Sequence, residues 1–206
     1  MKRARLWVVL CVLLGSRPAA AGPEADFRRF SDWVWLLGGV AAGFVAHEAG
    51  HLLLDLAVDA RPTFQPVSLG PFPFFAIQPT RPDLSPRLRY AIPAAGFAVQ
   101  HAYSEAIWAF DPALREHRHP FLKGMMGFHI VLSVGYAITG FAQIGPSQSD
   151  VNAMSRGLGV PPWATGLMLI VPAGVDLYRY FVPDSRWAPW IGLTAKLSVV
   201  GAVAAF

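Results

Sequence analysis

The segment Phe44-Val-Ala-His47-Glu48-Ala-Gly-His51 carries the residue types in this chain best suited to chemistry. On a helix, His47 and His51 stand four residues apart and share one face, so two imidazoles can reach a single metal ion. Glu48 is rotated ~100° from His47, which brings it close enough to take a proton from a water held at that metal. A catalytic site of this type uses three protein ligands and keeps an open position, so a third ligand must come from elsewhere. Cys11 is the single cysteine, so a disulfide framework and thiolate ligation within one chain are excluded. The metal must be held by histidine and carboxylate, and the ion such a motif takes is zinc.

The elements that must position this motif are apolar helices. Of the 206 residues, 54% are hydrophobic and 15% charged, against about 25% charged in a soluble domain, and the mean hydropathy is +0.40. After a basic start at Lys2, Arg3 and Arg5, residues 1–22 read as a secretory signal or signal anchor, with Ala19-Ala20-Ala21 as the cleavage site. Five longer apolar runs follow, at 33–57, 88–110, 121–144, 162–181 and 187–206, each near the ~20 residues needed to span a bilayer. Trp33, Trp35, Trp108, Trp163, Trp187 and Trp190 fall near their ends, as an interfacial aromatic belt would. The expected fold is all-α, a polytopic membrane bundle of about five spans forming one domain over 23–206. Its connector 58–86 is too rich in proline for a helix and holds a short extended strand at 74–78. Residues 145–161 read as a short helix capped near Ser149 or Asp150 and stopped at Gly157 or Gly159. Gly38, Gly39, Gly43, Gly135 and Gly140 read as close-packing positions between helices. The net charge of +4 sits at the edges of apolar runs, where headgroups are, and no basic stretch interleaves with aromatics to read nucleic acid.

Two aspartates compete to be the third ligand. Asp176 is an acidic residue inside the fourth run, and an intramembrane Asp is a functional candidate by default. Its run is antiparallel to the first, which puts it about 10 Å from the motif in depth. Asp150 follows the third run and emerges on the same side as the motif; its competing role is helix N-cap. In the second run His101 and Glu105 share a face, and with His129 they form either a polar seam between helices or part of a two-metal centre. Asp55, one turn past His51, is placed to orient that imidazole. His117 and His119 fall in a short charged turn and receive no role.

The chain resembles the site-2 protease type of intramembrane zinc metalloproteases over roughly residues 40–150. The resemblance rests on His47-Glu48-Ala-Gly-His51 in a spanning helix, on Pro62 and Ser68-Leu69-Gly70 after it, and on Arg89 followed by Ala95-Gly96 at the next span. Phe97 stands where that family has proline, and the family's Asn-Pro-Asp-Gly pattern is absent. Asp150 occupies the place in chain order where the family's ligand Asp belongs. The resemblance implies a multi-pass protein of a bacterial-type inner or plasma membrane that hydrolyses a peptide bond of a membrane protein or peptide. Zinc would be held by His47, His51 and Asp150, or Asp176 in its place, with Glu48 as general base. Two rivals remain: a metal-binding or inactive relative that binds membrane partners, and a di-metal membrane oxidoreductase needing His101, Glu105 and His129.

Overall fold

The structure, a computed structural model, describes residues 29–69 and 72–205. The expected signal sequence lies outside the described residues. The order is α1 (Phe30–Ala57), β1 (Pro62–Leu69), β2 (Phe72–Pro79), α2 (Pro86–Phe110), α3 (Pro120–Ala142), α4 (Asp150–Leu158), α5 (Pro162–Phe181) and α6 (Ala188–Ala205). Proline opens α2, α3 and α5, where its missing N–H costs nothing and its fixed φ suits the first turn. Ser85 caps α2, its Oγ accepting from the Leu88 N–H at 3.3 Å. Helix α4 starts after Ser149 and ends at Gly159, whose φ of 68° is the left-handed stop that glycine adopts without strain. The connector before α2 is more than the single strand expected. β1 and β2 pair antiparallel from Pro62 opposite Pro79 to Leu69 opposite Phe72. Prolines are tolerated because each strand of a two-stranded ribbon keeps an outer edge that needs no donor.

The protein is mostly helical, as expected, but the span count differs. Among the described helices, α1 and α3 are long and apolar enough to cross a membrane. Helices α4 and α5, bent by 116° at their junction, qualify only as one broken span or re-entrant loop. That makes two candidate spans among the described helices, or three with the bent pair, where about five were expected. The second expected span, α2, carries Arg87, Arg89, Gln100, His101 and Glu105, which dilute its hydropathy. It is instead an interior helix, packed against α1, α3, α4 and α6.

Helix α1 is built inside out. Its buried face is Asp32, Gly39, Gly43, His47, Gly50, His51 and Asp55, while Leu37, Val45, Leu53 and Leu56 are exposed. Small residues inward and large apolar ones outward suit a lipid surround. Helices α1 and α3 approach so closely that a Cβ on Gly39 would overlap the Phe121 carbonyl and one on Gly124 the Leu36 carbonyl. Gly43 meets Phe128 and Gly140 meets the Pro162 carbonyl, whereas Gly135 faces open space. Trp33, Trp35, Trp163, Trp187 and Trp190 are exposed as an interfacial belt requires, but Trp108 is buried and donates its indole N–H inward.

Candidate metal centre

Helix α1 brings His47 and His51 onto its buried face, and α2 packs across them. The contact is tight: a Cβ on Gly96 would lie 2.6 Å from His51 Nε2 and 2.7 Å from His47 Cε1, so only glycine lets α2 cross there. The His47 ring is held edge-on by Phe97, at a centroid distance of 5.1 Å. His51 Nδ1 donates to the Ile92 carbonyl at 2.8 Å. A carbonyl only accepts, so the proton is on Nδ1 and the Nε2 lone pair of His51 points at His47. The two Nε2 atoms are 3.0 Å apart. Asp150, in the first turn of α4, completes the triangle with Oδ2 at 3.5 Å from His47 Nε2 and 3.6 Å from His51 Nε2.

These three donors could hold one metal ion. Ligands about 2.0–2.1 Å from a tetrahedral ion lie about 3.3–3.5 Å apart, and the sides of this triangle, 3.0, 3.5 and 3.6 Å, fall on either side of that separation. Two imidazole nitrogens and a carboxylate oxygen converging on one largely buried point are a donor set that fits a divalent ion. Glu48, partly buried, is the neighbouring carboxylate, close enough to His51 and Asp150 to feel their charge. A cavity of about 200 Å³ opens beside the triangle, lined by His51, Asp150, Gln78, Arg89, Arg156 and Pro93 among others. Gln78 of β2 donates to the Gln148 carbonyl at 3.4 Å, tying the hairpin to the loop that leads into Asp150.

The remaining sequence candidates lie elsewhere. Asp176 is fully buried, but its oxygens are taken up by Lys196 at 2.7 and 2.8 Å, Trp108 Nε1 at 3.0 Å and His129 Nε2 at 3.1 Å. It belongs to an ion network that also joins Glu105 to Arg179 and Lys196, and is not part of the His47 triangle. Glu105 and His129 are thus committed to the bundle interior. His101 stacks edge-on to His129 at 5.4 Å, with neither ring nitrogen hydrogen-bonded among the described residues. Asp55 makes no hydrogen bond to His51; the Ile92 carbonyl does the orienting expected of it. Missed from sequence are the role of Gly96 as the crossing point against the two histidines, Gln100 as a neighbour of His47, and Tyr136, whose hydroxyl neighbours Asp150. Lys196 was legible in principle: a lone cation in an apolar run demands a buried anion.

No family model matches this chain, and neither a curated protein nor a solved structure matches it.

Proposed function

We propose that the chain is a multi-pass membrane metallopeptidase that hydrolyses a peptide bond of a membrane protein or peptide, in a bacterial-type inner or plasma membrane. The observation that carries this reading is the triangle of His47 Nε2, His51 Nε2 and Asp150 Oδ2 with Glu48 beside it. The metal proposed is zinc, which when bound supplies Lewis acidity to water and to a carbonyl oxygen. His47, His51 and Asp150 hold it, and the Ile92 carbonyl keeps the His51 lone pair directed at it. Glu48 takes the proton from water and passes it to the departing amine. The substrate enters the cavity at Ile77–Pro79, where the outer edge of the hairpin offers backbone groups to an unwound peptide by strand addition. Full spanning of the remaining long helices, to about five, belongs to this reading.

The test is cleavage of a transmembrane peptide in proteoliposomes. Glu48→Gln is expected to cut the rate by about 10²–10⁴ with metal content unchanged. Equal rates in wild type and Glu48→Gln would overturn the reading and leave a metal-binding, non-enzymatic role.

A further inference from the structure

Outside the His47 triangle, a second group of donors gathers where α2 turns into α3. Asp111 is the C-cap of α2, and His117 and His119 close the turn just before Pro120 opens α3. One donor atom from each of the three lies within 4.8 Å of the others. His117 Nδ1 is 2.7 Å from Asp111 Oδ1, and His119 Nε2 is 3.8 Å from Asp111 Oδ2. Asp111 is 3% exposed, and its Oδ2 has no hydrogen-bond partner among the described residues. A buried carboxylate with one oxygen bonded to His117 and the other facing His119 without a donor has acceptor capacity to spare for a cation.

The turn is built to hold this shape. Leu114 is fully buried against Ile107, Trp108 and Met126, anchoring the middle of the loop. The Lys123 ammonium donates to the Arg115 carbonyl at 2.9 Å. Arg118, between the two histidines in sequence, reaches Asp32 of α1 with contacts of 2.6 and 2.8 Å. That pairing occupies the intervening cation and leaves His117 and His119 gathered at Asp111. The rings of His117 and His119 meet edge-on at 6.3 Å.

We propose that Asp111, His117 and His119 form a second, peripheral site for a divalent metal of the zinc class, tying the end of α2 to the start of α3. Two imidazoles and one carboxylate suit borderline metals such as zinc better than magnesium or calcium, which prefer all-oxygen sets. Because both histidines are exposed, the ion keeps solvent-facing positions and exchanges with the medium. Asp111 lies fifteen residues beyond Gly96 along α2, about 22 Å of helix, so the two sites do not share ligands. The proposal stands independently of the peptidase reading.

The experiment is zinc titration of the detergent-purified full chain after chelator treatment, comparing wild type with His117→Asn/His119→Asn. Wild type is expected to bind one zinc ion more per chain than the double variant, and His47→Ala is expected to keep this extra ion. In unaltered protein, added zinc is expected to shield His117 and His119 from diethyl pyrocarbonate, a readout that needs no variant to fold. A wild-type chain that binds a single zinc and loses it in the double variant supports this site and counts against the other. Equal zinc uptake by wild type and double variant, or modification of His117 and His119 at an unchanged rate under zinc, would overturn the proposal.

Discussion

At the scale of single residues, the centre depends on where two protons and one hydrogen atom sit. The Ile92 carbonyl takes the Nδ1 proton of His51, which commits Nε2 to the metal. His47 Nδ1 and Gln100 Oε1 are each without a partner in the described structure, and they are neighbours of complementary kind. A hydrogen bond between them would fix His47 in the same tautomer. Gly96 supplies the hydrogen atom: any side chain there meets both imidazoles. Gly96→Ala is therefore expected to weaken zinc affinity about 10–100-fold, as loss of a metal site's supporting contacts does, and to cost about 1–3 kcal/mol by overpacking. Competition titration against a chelating dye measures the first, and unchanged affinity would show that α2 does not set the ring positions. The His47–His51 pair was legible because helix periodicity alone puts the two on one face. In the sequence Asp150 was preferred to Asp176 only narrowly, on chain order and side, since the choice depends on partners distant in the chain. Trp108 and Lys196, 68 and 20 residues from Asp176, claim that carboxylate and leave Asp150 to meet the histidines.

At the scale of elements, the buried ion network determines how α2, α3, α5 and α6 lock together. Glu105, His129, Asp176 and Lys196 come one from each, in that order. Lys196 and Asp176 are both nearly inaccessible, so removing one partner strands a buried charge. Lys196→Met is expected to destabilise the protein by about 3–5 kcal/mol, whereas Lys196→Met with Asp176→Asn recovers much of that loss. Thermal unfolding in detergent reads the comparison, and a double variant no more stable than the single would mean the network contributes by packing and not by charge. The apolar runs at 88–110, 121–144 and 162–181 start within two residues of α2, α3 and α5, and α4 was readable from Ser149 and Gly159, because these signals are local. Half of the hairpin was not, because Pro62 and Pro66 read as breakers. Only the pairing of β1 with β2 shows that a ribbon with two free edges accommodates them.

At the scale of the whole molecule, the distribution of surface decides the environment. Large apolar side chains on α1, α3, α5 and α6 face outward, including Leu53, Val131, Leu167 and Trp190. The interior is rich in glycine, histidine and paired charge. Exposed apolar side chains in this number suit contact with lipid better than with water. Washing native membranes with alkaline carbonate is expected to leave the chain in the pellet; release into the supernatant would contradict a spanning bundle. Composition made the apolar helices legible, but an apolar run does not tell a lipid-facing helix from an interior one, so which runs qualify as candidate spans was not readable from the sequence. Helix α2 is the case in point, buried along most of its length between its neighbours. The central claim remains the metal held by α1 and α4. It is tested most directly by counting zinc per chain in detergent-purified wild type, His47→Ala, Asp150→Asn and Glu48→Gln. The account predicts one zinc fewer per chain in His47→Ala and in Asp150→Asn, with Glu48→Gln equal to wild type. Wild-type zinc content in both ligand variants, after zinc is supplied, would contradict it and make the His47–His51–Asp150 triangle a structural contact only.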